Sequence, residues 1–207
     1  MRAGTTRGRE DPVRKEFRES EDARWIERPR TLPPAALRAI RRRVAAGVRF
    51  GVAARIEDSK GRVMLVRMDH RTHWSPNWMT PGGGGEPGES PREAMVRKIR
   101  EETGGRVRSL RLWKVFHETL QMRGDEGLAW DFLQYTAFWT GGRPHSLVPH
   151  HAVEARWFAR LPKSTEFRQD WLHPPRSRFD RVRTKQSRED TPPIPQARPR
   201  AERRSGR

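Results

Sequence analysis

The stretch that decides the fold is PGGGGEPGESPREAMVRKIREETGG, residues 81–105. Its four consecutive glycines allow the backbone to approach a ligand closely. Ser90 stands at an N-cap position, Pro91 follows as the first helical residue, and Glu93 has the spacing of a capping box. The pattern predicts a helix over residues 90–103 that begins beside a ligand, because a helix N-terminus stabilises anions.

The predicted helix has an apolar stripe and two adjacent acids. The stripe is expected to pack on a sheet and consists of Met95, Val96 and Ile99. Glu101 and Glu102 are expected on a polar face beside it, with Lys98 three and four residues earlier. Closely placed carboxylates repel unless a cation lies between them, and oxygen ligands suit Mg²⁺ or Mn²⁺. With Glu89 in the preceding loop, a divalent ion bridging protein and substrate phosphates is a reasonable hypothesis.

Strand patterns lie on both sides of this helix. Two strands joined by a tight turn are predicted before it, in VRFGVAARIED and RVMLVRM, and a short strand in WMTPGGGG. Three further strands are predicted after it, around RLWKVFHETLQM, LAWDFLQYTAFW and EARWFARL. A helix is also predicted from Pro33 to Ala46. Strands in succession on both sides of one amphipathic helix predict a mixed α/β domain.

The length of 207 residues allows one domain with extensions. We predict a basic N-terminal extension with one helix at residues 1–47, the α/β domain at 48–172 and a Pro/Arg-rich tail at 173–207, with 176–207 disordered. Residues 1–47 carry 13 basic and 7 acidic side chains, and residues 161–207 carry 13 and 6. Solvated tails and tails that bind nucleic acid both fit this charge.

The chain has no cysteine, which excludes disulfides and thiolate metal sites. No apolar run approaches the length of a membrane span, and the N-terminus has no apolar segment of a signal peptide. We therefore expect a cytoplasmic protein that does not contact membranes. The oligomeric state stays open.

The spacing of the residues in 81–105 resembles the signature of the Nudix hydrolase family. Seven of its nine specified positions are filled here, by Gly83, Glu89, Arg97, Ile99, Glu101, Glu102 and Gly104. The resemblance extends over about residues 48–162. It implies an α/β/α sandwich with a mixed β-sheet, and Mg²⁺- or Mn²⁺-dependent hydrolysis of a diphosphate linkage in a nucleoside diphosphate derivative.

Two positions depart from the signature. Gly105 stands where a hydrophobic residue is usual, and we expect Val107 to take that position in a shifted strand. Lys98 replaces a glutamate of the family that helps to bind metal or to organise the attacking water. An ordinary salt bridge from Lys98 to Glu102 is one interpretation. In the other interpretation, the ammonium group of Lys98 takes the place of one metal cation that the glutamates would otherwise bind.

The resemblance also implies roles for individual residues. Glu101 and Glu102 would hold the metal, Gly83 would lend a carbonyl, and Arg97 would pair with Glu89 to brace the loop against the helix. The catalytic residues are therefore expected to be Glu101, Glu102, Arg97 and Glu89.

Further candidates lie around this set. Trp74 is expected to stack on a base, because aromatic faces accept any nucleobase. Gly84 and Gly85 are expected to border the substrate, and Glu126 or Glu154 is a candidate for an additional base.

Two functions from different classes follow. The first is a pyrophosphohydrolase of the Nudix type. The second is a degenerate domain of the same fold, weakly active or inactive, that binds a nucleotide or holds RNA through its basic tails.

Overall fold

A computed structural model describes residues 10–69, 77–121, 127–148, 151–166 and 168–171. Within these ranges the chain forms three α-helices, eight strands and one short 3₁₀-helix. The predicted disordered segment 176–207 lies outside the described residues, and the predicted division of the chain at residues 48 and 173 stays a prediction.

The helices and strands alternate irregularly along the chain. The α-helices are α1 (Pro12–Arg18), α2 (Pro34–Ala45) and α3 (Pro91–Thr103), and the 3₁₀-helix spans Arg168–Trp171. The strands are β1 (Arg24–Thr31), β2 (Phe50–Glu57), β3 (Val63–Met68), β4 (Trp78–Met79), β5 (Gly82–Gly84), β6 (Arg106–Gln121), β7 (Leu128–Gly141) and β8 (Ala152–Phe158). The strands and helices predicted from the sequence are present with small shifts at their ends, except that the one strand predicted in WMTPGGGG is two, β4 and β5.

The eight strands form one mixed sheet in the order β1-β6-β7-β2-β3-β4, in which β5 pairs with β2 and β8 pairs with β3. The pairs β1/β6 and β2/β7 are parallel, and the other pairs are antiparallel. β5 lies beside β2 in the register Gly51↔Gly84 to Ala53↔Gly82. This pairing fixes the glycine run beside β2, and residues 85–90 connect it to α3.

Helices cover both faces of the sheet. On one face, α1 and α3 pack on the main core, to which β2 and β7 contribute alternate residues such as Val52, Ala54, Leu133 and Tyr135. On the other face, Leu37 and Ile40 of α2 pack against Leu120 and Trp130. The predicted α/β/α sandwich is therefore confirmed.

The N-terminal part contains more structure than the single helix expected there. Besides α2, it forms α1 and β1, and β1 pairs with β6 from Arg24↔Lys114 to Thr31↔Gln121. β1 has the sequence RWIERPRT, and its four charged residues and Pro29 hide the strand pattern. Proline is tolerated in β1 because this strand lies at an edge of the sheet.

The side of α3 that packs on the sheet differs from the predicted one. Val96, placed in the apolar stripe by the sequence, is 53% exposed. The buried side consists instead of Pro91, Ala94, Met95, Ile99, Glu102 and Thr103. The predicted stripe was wrong in Val96, because the helix is rotated so that Glu102 faces the core.

Candidate active site

The start and the end of α3 are set by local sequence. The Ser90 side chain accepts a hydrogen bond from the Glu93 N–H, and the Glu93 carboxylate accepts one from the Ser90 N–H. Pro91 occupies the first turn, and Gly104 ends the helix with a φ of 65°, a left-handed conformation that glycine adopts without strain. The predicted capping box is confirmed, and α3 therefore begins at a fixed place after the glycine run.

Arg97 joins the loop before α3 to the helix itself. Its Nε and Nη2 atoms donate to the two carboxylate oxygens of Glu89 at 2.8 and 2.7 Å. Its Nη1 atom donates to Glu101 at 3.2 Å. The hydrogen bonds from Arg97 hold the pKa of Glu89 below its usual value. The pairing that the resemblance implies for Arg97 and Glu89 is therefore present, and it is bidentate, the stronger form of this contact.

Lys98 lies among the carboxylates of Glu89, Glu101 and Glu102, which are called the acid cluster below. Its side chain is 12% exposed, and its Nζ atom is 2.9 Å from Oε2 of Glu101. Burial acts to raise the pKa of Glu101, but the Lys98 ammonium and then the Arg97 guanidinium hold that pKa below its usual value. The salt bridge from Lys98 is therefore made to Glu101, three residues on, and the interpretation in which Lys98 pairs with Glu102 was wrong. The reason is that Glu102 points into the core.

Glu102 is completely buried. Its Oε2 atom accepts a hydrogen bond of 2.9 Å from the Gly82 N–H, whereas Oε1 has no hydrogen-bond partner among the described residues. Nε2 of His151 lies 4.0 Å from Oε1, beyond hydrogen-bond distance. Burial raises the pKa of Glu102 to about 7, against the opposing charge of Lys98. The expectation that Glu102 lies on a polar face was wrong, because its carboxylate is buried and accepts a hydrogen bond from the Gly82 N–H of the glycine run.

The acid cluster fits a divalent cation in one respect. An unpartnered carboxylate oxygen inside a protein is costly, and a cation satisfies it. The described residues contain no group of three or more His, Asp or Glu side chains gathered as metal ligands. The available donors are the carboxylates of Glu101 and Glu102 and the carbonyl of Gly83, and their assignment as metal ligands stays a prediction.

A cavity of about 110 Å³ lies beside this cluster, on the face of the sheet covered by α2. It is large enough for several water molecules, and so for a small polar group of a ligand. Lys98, His151 and the glycines of β5 border one part of it. The aromatic side chains Trp130, Phe132 and Trp171 border another, together with Arg30 and Glu118. Arg30 and Arg28 both donate to Glu118 at 2.7 Å, and Arg28 also pairs with Asp170, so two cations and two acids balance each other here.

The other predicted site residues have different positions. Gly84 lies against Arg43, and a Cβ at Gly85 would collide with the ring of Phe50. Glu154 lies on β8 and pairs with Arg67 at 3.0 Å, and it does not border the cavity. Trp74 and Glu126 lie outside the described residues.

The sequence reasoning missed several residues of the cavity. Arg30 and Arg43 belong to the segment that was predicted to be an extension, whereas Trp130 is a core residue that also borders the cavity. A local signal was present in α2, since Arg43 follows Ile40 by three residues and therefore continues its packed face. The contact itself depends on the approach of α2 to β5 across the sheet, which no local pattern reveals.

These features define an α/β/α sandwich in which a glycine-rich strand leads into a helix that carries the adjacent Glu101 and Glu102. The family model described as NUDIX domain matches residues 47–172. The chain therefore belongs to the Nudix family, as the spacing in residues 81–105 indicated.

Named relatives agree with this assignment. The CTP pyrophosphohydrolase of Escherichia coli is 33% identical over 107 residues, covering 41% of this chain and 79% of that protein. The m7GpppN-mRNA hydrolase NUDT17 of Xenopus laevis is 37% identical over 84 residues, 38% of this chain and 28% of that protein. A MutT NUDIX hydrolase of Burkholderia pseudomallei has a similar structure, with a TM-score of 0.50, 27% identity and coverage of 59% of this chain and 92% of that one.

No α-helix in the described part of the chain has the length and apolar character needed to cross a membrane. The predicted cytoplasmic location stays a prediction.

Proposed function

We propose that this protein hydrolyses a diphosphate linkage in a nucleoside diphosphate derivative, with Mg²⁺ or Mn²⁺ as cofactor. The observation that carries the proposal is the completely buried Glu102, whose Oε1 atom has no hydrogen-bond partner among the described residues. A buried carboxylate of this kind is stable when a cation joins it. The names of the two curated relatives, a hydrolase of CTP and a hydrolase of capped mRNA, support a substrate with linked phosphates.

In this proposal some residues bind the cation, and others orient the residues that bind it. Glu101, Glu102 and the Gly83 carbonyl are the proposed metal ligands. When bound, Mg²⁺ would neutralise charge on the diphosphate and make water a better nucleophile. Arg97 fixes the orientation of Glu101 by the same guanidinium that grips Glu89. The glycines of β5 leave room for phosphates beside these ligands, and Trp74 remains the proposed stacking residue for a base.

The test is phosphate release from nucleoside triphosphates, nucleoside diphosphate sugars, dinucleoside polyphosphates and capped RNA, with and without Mg²⁺ or Mn²⁺. We expect turnover of at least one class, dependent on metal and abolished by Glu102→Gln. Glu57→Gln is the matched control, because this glutamate pairs with Arg55 on β2 and does not border the cavity. Turnover that persists in Glu102→Gln would contradict the proposed site.

The position of Lys98 favours one alternative function, a domain that binds a nucleotide or RNA with little or no turnover. Its ammonium group lies 2.9 Å from a Glu101 oxygen and so competes with a metal ion for that oxygen. If every substrate is inert and Lys98→Glu switches hydrolysis on, this alternative is correct. A contribution of the basic tail to RNA binding would show as a weaker salt dependence after deletion of residues 176–207.

A further inference from the structure

Arg43 lies in the last turn of α2, outside the segment that matches the family model. Its guanidinium rests on the glycine run of β5. Nη1 donates to the Gly85 carbonyl at 2.8 Å, and a Cβ on Gly84 would lie 2.5 Å from Nε. The contact therefore needs a glycine at position 84, and it fixes the guanidinium at the border of the cavity.

Arg43 differs from the neighbouring cations in its charge balance. Lys98 is paired with Glu101, Arg97 with Glu89, and Arg30 with Glu118. For Arg43, the described part of the chain offers no carboxylate within ion-pair distance, and the Gly85 carbonyl accepts from only one of its nitrogens. A guanidinium has five N–H donors, so most of its hydrogen-bonding capacity remains.

The surroundings of this guanidinium suit an anion of phosphate type. The side chain is half-buried, and a partly desolvated guanidinium gains more from an anionic partner than an exposed one does. Lys98 reaches the same glycine run at the preceding residue, where a Cβ on Gly83 would lie 3.0 Å from its Cε atom. Two cations thus lie against Gly83 and Gly84, and both border the cavity.

We propose that Arg43 binds the diphosphate of the substrate, so that α2 completes a site which the Nudix domain alone leaves open. The inference rests on the proposed function for the identity of the ligand. Arg43 acts in binding and selectivity, and the acids of α3 act in turnover. It should favour ligands that carry phosphate over the nucleoside alone, because a guanidinium fork can donate to two phosphate oxygens.

The test measures binding directly, so that it does not depend on hydrolysis. Full-length protein is titrated calorimetrically with inorganic pyrophosphate and with an α,β-methylene nucleoside diphosphate, in EDTA and again with Mg²⁺. The variants are Arg43→Met, which removes the charge, and Arg43→Lys, which keeps the charge without the fork. Arg42→Met is the matched control, because Arg42 is exposed on the same helix.

We expect Arg43→Met to raise the Kd for pyrophosphate and for the analogue about 10- to 100-fold, as for loss of a charged hydrogen bond. Arg43→Lys should lose less, and Arg42→Met should stay within about twofold. In any substrate that is turned over, KM should rise in Arg43→Met while kcat changes much less.

Arg43 could instead only brace the glycine loop, and the measurements separate the two roles. In that case Arg43→Met would lower the melting temperature and weaken binding of the phosphate-free nucleoside as strongly as binding of pyrophosphate, which would overturn the proposal. Unchanged Kd values in Arg43→Met, or no pyrophosphate binding by the unmodified protein, would also overturn it. Arg43-dependent binding without any turnover would uphold this inference while the proposed hydrolysis fails.

Discussion

Replacing Glu102 by glutamine should change how the stability of the metal-free protein depends on pH. Burial raises the pKa of Glu102 from 4.5 to about 7. Between these two values the folded protein holds a proton that the unfolded chain has released, so the free energy of unfolding falls as pH rises through this window. The shift of about 2.5 pH units corresponds to about 3 kcal/mol, all of it lost by about pH 8.

Glutamine keeps the shape of the protonated side chain and has no proton to lose. The unfolding free energy of Glu102→Gln minus that of the unmodified protein should therefore rise by about 3 kcal/mol between about pH 4.5 and about pH 8. Urea unfolding in EDTA, followed by the fluorescence of the eight tryptophans, measures this difference. Added Mg²⁺ should stabilise the unmodified protein at the higher pH and leave the variant unaffected.

Glu101, the residue before Glu102, provides a control in which stability depends on pH in the opposite direction. Lys98 and Arg97 hold the pKa of Glu101 below its usual value, so its contribution is present above pH 4.5 and is lost as pH falls below that value. Glu101→Gln should therefore destabilise the protein at neutral pH and have little effect in acid. If the stability curves of Glu102→Gln and the unmodified protein run parallel within about 0.5 kcal/mol, Glu102 is not the buried titrating acid described above.

Three further substitutions test other parts of the structure. Lys98→Met removes the ammonium group 2.9 Å from Glu101 and should tighten Mg²⁺ or Mn²⁺ binding about tenfold or more in calorimetry; an equal Kd would show that Lys98 does not oppose the metal. Gly105→Ala should lower unfolding free energy by about 1–3 kcal/mol, because the new Cβ would overlap the Trp139 indole; an unchanged denaturation midpoint would contradict this packing. Gln134→Met should raise unfolding free energy by about 1–3 kcal/mol, because both polar atoms of this buried carboxamide lack hydrogen-bond partners among the described residues; a loss of stability would reveal a partner.

The features predicted well from the sequence are those determined by neighbours in the chain. Ser90, Pro91 and Gly104 set the ends of α3 by backbone conformation and capping, and these effects act over a few residues. The Arg97–Glu89 pair was implied by the resemblance to the family signature, and it forms because the loop that carries Glu89 closes on the same helix.

The features missed depend on contacts across the sheet. β1 gains its backbone hydrogen bonds from β6, and its own charged sequence gives no strand pattern. Glu102 is buried because Gly82, twenty residues away, donates an N–H to it. Gly105 departs from the family signature, and the indole of Trp139 occupies the space where its side chain would lie. Each effect follows from tertiary packing, which local periodicity does not contain.

The charge balance of the acid cluster limits the number of cations that it can hold. Four carboxylates lie around the guanidinium of Arg97 and the ammonium of Lys98, those of Glu89, Glu101 and Glu102 and the more exposed Glu86. With all four acids ionised the group carries two net negative charges, and a glutamate in place of Lys98 would make this four. Because burial holds the proton of Glu102 to about pH 7, entry of a divalent ion below that pH must displace a proton. We therefore expect one divalent ion per chain, with an affinity that rises with pH up to about 7 and then levels off.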